Sequence, residues 1–111
     1  MPLDAFTKKR IEKIMDEYAG SKFPKHLSNQ IRISYKIRGN NVTLCEERPA
    51  YIGDGWTQLD VAQFRLADSK WLVYWRDSKD KWHLIEDIEP SEDFQKQLAI
   101  VDKNEIGIFW Y

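Results

Sequence analysis

The chain has 111 residues and one cysteine, with 42% hydrophobic residues, 32% charged residues and a formal net charge of −1. The length predicts a single domain over residues 1–111, and the apolar content argues against disorder and suffices for one hydrophobic core. Because the chain has no signal-like segment, no apolar run of membrane length and no second cysteine, we expect a cytoplasmic protein with no membrane partner and no intrachain disulfide.

The first predicted element is a helix that begins after Asp4 and runs to about Ala19. Asp4 is a residue type that caps helix N-termini, and Gly20 is expected to stop the helix in a left-handed conformation. Helical spacing places an apolar stripe on one side of this helix: Phe6, Ile11, Ile14, Met15 and Tyr18. Pro24 then keeps the following loop from continuing as a helix.

Two strands of a hairpin are predicted next, at about Ile31–Arg38 and Asn41–Arg48. Gly39-Asn40 suits a two-residue turn that needs positive φ. Pairing about this turn sets one apolar face, with Tyr35 opposite Leu44, and one polar face. On the polar face Ser34 lies opposite Cys45. Two charged residues, Glu46 and Arg48, fall on the apolar side near the strand end.

Three more strands follow a predicted loop at Pro49–Gln58, in which Trp56 is a candidate anchor. Their expected bounds are about Asp60–Ala67, Trp71–Arg76 and Trp82–Asp87, joined by two-residue turns at Asp68-Ser69 and Ser78-Lys79. These turns predict one apolar face: Ala62, Phe64, Leu66, Trp71, Val73, Trp75, Trp82 and Leu84. The predicted opposite face is mixed: Gln63, Arg65, Leu72, Tyr74, Arg76, His83 and Ile85.

A second helix is predicted at about Glu92–Asp102, after a break at Pro90 and with Ser91 as its cap. Its apolar stripe is Phe94, Leu98 and Val101. The apolar tail Glu105–Tyr111 is expected to pair as a short strand or to pack under a helix. The fold class that results is α+β, an antiparallel β-meander of five to six strands with an N-terminal and a C-terminal helix packed on the sheet.

Motifs for catalysis or metal binding are weak in this sequence. Cys45, His26 and His83 have none of the spacings of metal ligands, so we expect no metal ion and no cofactor. Cys45 is interpreted as an ordinary strand residue rather than a nucleophile. A binding module is therefore favoured over an enzyme.

Two surfaces are candidate binding sites. The first is the mixed sheet face, where Arg65, Tyr74, Arg76 and His83 combine aromatic and guanidinium groups that could bind a protein partner. The second is the end of the sheet near Glu46 and Arg48.

The first candidate surface predicts a non-enzymatic binding or protein-interaction module. The second is the alternative, a pocket for a small molecule that binds a ligand or performs catalysis. Self-association into a weak homodimer is a third hypothesis. Nucleic acid is not expected as a partner, because the later strands lack an excess of basic residues.

Several short blocks of the sequence resemble one protein family when their order and spacing are considered together. The blocks are PLDAFTKKRIEKIMDEY, PKHL, IRGNNVTLCEERP, VAQFR, LVYWRD, a W-H pair and GIFW. They resemble a family of small bacterial proteins, domain-of-unknown-function family 3024, over Pro2 to Trp110. The resemblance implies a bacterial, stand-alone, cytoplasmic domain and carries no activity. Its motif positions are Pro24, His26, Arg38, Gly39, Val42, Glu46, Arg48, Pro49, Phe64, Arg65, Tyr74, Trp75, Arg76, Trp82, Gly107, Phe109 and Trp110.

Overall fold

The computed structural model describes residues 3–27 and 29–103 and has the predicted α+β architecture. Within this part of the chain the five strands are all antiparallel and lie in sequence order in one sheet, which confirms the meander. The elements are α1 (Ala5–Ser21), a short 3-10 turn (Lys25–Leu27), β1 (Arg32–Arg38), β2 (Asn41–Pro49), β3 (Trp56–Ala67), β4 (Lys70–Arg76), β5 (Trp82–Leu84) and α2 (Phe94–Lys103). The tail Glu105–Tyr111, predicted to pair or pack, lies outside the described residues.

The β1–β2 hairpin has the register that the sequence predicts. Tyr35 pairs with Leu44 and Ser34 with Cys45, and Gly39 in the turn has a φ of 56°. The neighbouring Asn40 joins this turn to β3, because its side-chain nitrogen donates to the carbonyl of Leu66 at 2.6 Å.

The β3–β4 hairpin is also confirmed. Phe64 pairs with Val73, and the two turn residues Asp68 and Ser69 both have positive φ, at 51° and 64°. A two-residue turn of this handedness matches the natural twist of paired strands. The apolar residues of both strands are thereby brought to one face of the sheet.

The β4–β5 connection differs from the prediction by one residue. The carboxylate of Asp77 accepts hydrogen bonds from the backbone N–H groups of Lys79 at 2.8 Å and Lys81 at 3.0 Å, and Asp80 has a φ of 65°. These bonds stabilise a longer loop than the predicted two-residue turn. The predicted pairing of Trp75 with Trp82 is therefore wrong.

The longer loop reverses the faces of the residues that follow it. Trp75 pairs with His83, and the two rings stack with centroids 5.0 Å apart. Ile85 is buried in the core. His83 and Ile85 were thus predicted on the wrong face, and so were Trp82 and Leu84, which lie on the side opposite the core.

Both helices pack against the same face of the sheet. The ring of Phe94 in α2 lies 4.9 Å from that of Phe64 and 5.0 Å from that of Trp71. On α1, Ile11 and Met15 are buried. The apolar stripe predicted for α2 is confirmed, since Phe94, Leu98 and Val101 are all buried. Among the residues predicted for the stripe of α1, Phe6 is 81% exposed, so its inclusion was wrong. None of the described helices is long and apolar enough to span a membrane.

The helix ends show one confirmed cap and two corrections. Asp4 accepts a hydrogen bond from the backbone N–H of Thr7 at 2.7 Å, as an N-cap does. Gly20 lies within α1, which continues to Ser21, so the predicted left-handed stop is wrong. At α2 the capping carboxylate is that of Asp93, which accepts from Lys96 N–H. Ser91 does not cap the helix: its hydroxyl accepts from the backbone N–H of Asp93 at 3.1 Å, before the helix begins, and its backbone pairs with that of Trp71.

The two glycines Gly39 and Gly20 should respond oppositely to substitution by alanine. Gly39→Ala forces a side chain into the left-handed region and should lower the free energy of unfolding by about 1–2 kcal/mol. Gly20→Ala adds a methyl group that meets no atom within 4 Å. Because alanine favours the helix, this change should raise that free energy by up to about 1 kcal/mol. Urea denaturation measures both changes, and shifts of the same sign would contradict one of the two backbone assignments.

Candidate functional site

The sheet face opposite both helices carries three of the six candidate binding residues, and we call it the outer face. Strand alternation and pairing assign to it Arg32, Ser34, Lys36, Arg38, Asn41, Thr43, Cys45, Glu47, Gln58, Asp60, Gln63, Arg65, Lys70, Leu72, Tyr74, Arg76, Trp82 and Leu84. Of the six predicted site residues, the structure brings together Arg65, Tyr74 and Arg76 on this face.

Arg65 is held in position on the outer face by uncharged side chains. Its guanidinium carbon lies 3.9 Å from the centroid of the Tyr74 ring, and its Nε donates to the Gln63 side-chain oxygen at 2.6 Å. Gln63 in turn donates to the Thr43 hydroxyl at 2.9 Å. Side chains from β2, β3 and β4 thus fix the guanidinium. Within the described part of the chain, no protein group accepts a hydrogen bond from its two terminal nitrogens or forms an ion pair with them.

Arg76 is held by charged partners instead. One terminal nitrogen lies 2.5 Å from a carboxylate oxygen of Asp60, and the other lies 2.9 Å from a carboxylate oxygen of Asp80. Its positive charge is therefore compensated within the molecule. The sequence indicated Arg76 as a binding residue, and the structure adds these two ion pairs; a role in binding stays a prediction.

A β-bulge places Asp60 on the outer face. Leu44 pairs with Ala62 but Cys45 pairs with Asp60, so Val61 is an extra residue in β3. Below the bulge the alternation of β3 is reversed. The Asp60 carboxylate consequently lies 3.6 Å from Lys36 Nζ as well as beside Arg76. Simple alternation along the predicted strand would have turned Asp60 toward the helices.

Cys45 lies where its thiol does not readily form the nucleophilic thiolate. It is fully buried, and its Sγ lies 3.3 Å from a carboxylate oxygen of Asp60. Burial, followed by the hydrogen bond and negative charge of Asp60, raises the pKa of the thiol to about 12. The neutral thiol is therefore the favoured form. Across the described residues, no group of three or more His, Cys, Asp or Glu side chains is arranged to hold a metal ion.

A second stacked arginine at the far end of the outer face was missed by the sequence analysis. The guanidinium carbon of Arg32 lies 3.7 Å from the centroid of the Trp56 ring, and its Nε lies 3.0 Å from a Glu47 carboxylate oxygen. Trp56 was predicted as a loop anchor but opens β3, where it pairs with Pro49. The aromatic Trp56 and the β-branched Thr57, both common in strands, were the signal that could have revealed this start of β3.

Glu46 and Arg48, the predicted sheet-end pair, contact each other. Nε and Nη2 of Arg48 lie 2.9 and 2.8 Å from the same oxygen of Glu46, which is 5% exposed. The two residues lie on the side of the sheet that bears the helices, away from Arg65. The cavities of about 250 to 530 Å³ found elsewhere in the described residues have other linings. The pair satisfies its own charges.

His83, the sixth predicted site residue, is separated from the others. It lies beside Trp75 on the helix-bearing side, and its Nε2 is 2.6 Å from a carboxylate oxygen of Asp77. The hydrogen bond to His83, together with those from Lys81 and Lys79, lowers the pKa of Asp77 to about 2. This contact stabilises the β4–β5 loop on the side of the sheet away from Arg65.

Comparison with known proteins supports the resemblance seen in the sequence. The family model described as domain of unknown function DUF3024 matches residues 3–111. The chain belongs to this family. No curated protein and no solved structure matches the chain. The family description carries no activity, so the function is argued from the geometry of the DUF3024 domain itself.

Folded protein should resist alkylation at Cys45. Because the thiol pKa is raised to about 12, the thiolate forms in the folded state only as the pH rises toward that value. At mildly alkaline pH we expect iodoacetamide to react on the order of a hundredfold more slowly than with the urea-unfolded chain. Mass spectrometry measures both rates, and rapid labelling of the native protein would contradict the buried, protonated thiol.

The two arginines of the outer face should differ in their effect on stability. Arg76→Ala leaves the mostly buried Asp60 carboxylate without its closest cation and should lower the free energy of unfolding by about 1–3 kcal/mol. Arg65→Ala removes a hydrogen bond to a neutral amide and a stacking contact without leaving a buried charge unpaired, and we expect a smaller loss of about 1 kcal/mol. Chemical denaturation of the two variants measures the difference. A larger loss for Arg65→Ala would identify Arg65 as a structural residue.

Proposed function

We propose that this DUF3024 domain is a non-enzymatic binding module that recognises a protein partner through its outer face. The observation that carries the proposal is the Arg65 guanidinium, which is fixed by Tyr74 and Gln63 while its terminal nitrogens donate no hydrogen bond to any described residue. A guanidinium held in one orientation before binding loses little conformational entropy when a partner arrives. Arginine and tyrosine are also among the residues that contribute most to protein interfaces.

Apolar side chains next to Arg65 favour a protein as the partner. Leu72 pairs with Arg65 across the β3–β4 hairpin, and Leu84 pairs with Tyr74 across β4–β5. Leu84 is 42% exposed. A sheet surface that combines aliphatic groups, the aromatic residues Tyr74 and Trp82 and a fixed arginine resembles the centre of a protein interface. Small molecules, in contrast, are generally bound in concave sites.

The chemistry of the remaining outer-face groups supports binding over catalysis. Arg76, Asp60 and Lys36 form ion pairs with one another or with Asp80. The buried thiol of Cys45 is protonated at neutral pH. A general base or a nucleophile must be available to a reacting group. These groups are instead occupied with structural contacts.

The other hypotheses from the sequence have less support. A pocket for a ligand or a substrate at the end of the sheet would need Glu46 and Arg48, and their charges satisfy each other. Self-association through the outer face stays a prediction, and sedimentation velocity over a range of concentrations tests it. A bacterial, cytoplasmic setting is part of our proposal and determines the source of the lysate in the experiment below.

The proposal predicts that partner capture depends on Leu84. Immobilised wild-type protein and the Leu84→Ser variant are exposed to a native bacterial lysate, and the bound proteins are quantified by mass spectrometry. Loss of an apolar contact at the interface should reduce the specific partner roughly fivefold or more.

Leu59→Ser is the matched control for this experiment. Leu59 is 46% exposed, close to the 42% of Leu84, and it pairs with Glu46 on the other side of the sheet. Capture that depends on Leu59 and not on Leu84 would contradict the proposal and would favour the sheet-end alternative. Circular dichroism of both variants verifies that they fold.

A further inference from the structure

The charged residues of the outer face are divided unequally between its two ends. Its two acidic residues, Glu47 and Asp60, lie toward one end, and each is paired with cations of the same face. Arg32 pairs with Glu47, while Arg76 and Lys36 pair with Asp60. The charges at this end are therefore largely neutralised by contacts within the protein.

At the other end lie three cations without such partners: Arg38, Arg65 and Lys70, which we call the basic end. Arg38 and Arg65 flank Asn41 on adjacent strands, and Lys70 is the next outer-face residue to Leu72, the partner of Arg65. No acidic residue of the outer face lies beside them. Two exposed acids of other segments lie near this end of the sheet: Asp68 in the β3–β4 turn, and Asp4, whose neighbour Leu3 donates to the Gly39 carbonyl. Among the described residues, none of the three cations forms an ion pair.

We propose that the basic end binds an extended acidic segment of a protein partner, with an apolar side chain of that segment resting on Leu72 and Leu84. The inference rests on the proposed function and specifies the partner. From strand spacing, Arg38 and Lys70 stand about 16 Å apart, and each stands about 8–10 Å from Arg65, which lies between them. The shorter distance is about three residues of extended chain, so carboxylates at that interval can meet two cations at once. Arg65 is suited to hold one of them through its two terminal nitrogens, which have no hydrogen-bond acceptor among the described residues.

The same charges are poorly suited to a nucleic acid. A phosphate backbone is bound by a track of cations, and here the track would run into Glu47 and Asp60 at the opposite end of the face. A short acidic peptide requires only the basic end and its aliphatic neighbours.

The proposal is tested with a short labelled peptide that contains glutamate and leucine. Fluorescence anisotropy compares its affinity with that of the same peptide in which each glutamate is replaced by glutamine. We expect the glutamate peptide to bind measurably and the glutamine peptide not to bind. We expect the Arg38→Ala/Lys70→Ala variant to bind the glutamate peptide about tenfold more weakly than the wild type does. Arg65→Lys should also weaken binding, because lysine keeps the charge but loses the bidentate geometry.

Arg10→Ala/Lys13→Ala is the control, because it removes the same net charge from exposed positions of α1. Equal affinities for this variant and for Arg38→Ala/Lys70→Ala would overturn the proposal. So would stronger binding of a single-stranded oligothymidylate than of the peptide, or self-association that depends on Arg38 and Lys70. If those results appear while lysate capture still depends on Leu84, the acidic partner is wrong and the binding module stands. If peptide binding does not depend on the basic end and lysate capture does not depend on Leu84, the proposed function is wrong as well.

Discussion

The two-residue turn at Asp68 and Ser69 determines which side of the sheet is buried. Both residues have positive φ, which lets β3 and β4 join without an extra residue and sets Phe64 opposite Val73. The buried rings of Phe64 and Trp71 then provide the surface on which Phe94 of α2 packs. A slip of one residue would turn Phe64 outward and Arg65 into the core. The position of the helices and the composition of the outer face thus depend on this turn.

The sequence correctly predicted the β1–β2 and β3–β4 hairpins, because the residues in these two turns favour the backbone conformation that the turns require. Gly39 favours positive φ, and Asp68-Ser69 forms a turn short enough to leave one register compatible with the apolar pattern. The prediction of the β4–β5 hairpin failed because the same residues can form either a two-residue turn or a longer loop. The longer loop is favoured by the Asp77 carboxylate, whose bonds to backbone N–H groups compensate for the extra residue. Alternation alone could not reveal these bonds, and His83 was consequently placed on the wrong face.

The candidate site was predictable where strand alternation is regular. Arg65 and Tyr74 follow directly from the β3–β4 register, and their contact is a diagonal neighbour pair on one face. The ion pairs around Asp60 were not predictable, because they depend on the bulge at Val61. One unpaired residue changes the face on which Asp60 lies, and hydrophobic periodicity gives no signal for that change. The same bulge brings Asp60 beside Cys45, which explains a protonated thiol that the sequence could only suggest.

Three arginines of the outer face show that a guanidinium can be held in place either with or without compensation of its charge. Arg32 and Arg76 are each fixed by at least one carboxylate, and the same carboxylates neutralise the positive charges of these two arginines. Arg65 is fixed by an amide and an aromatic ring, and both are uncharged. Gln63 is itself held in place by Thr43. Because its amide is neutral, it accepts a hydrogen bond from Arg65 without adding negative charge. The result is a guanidinium that is ordered yet uncompensated, which is the condition that favours an incoming carboxylate over the contacts already present.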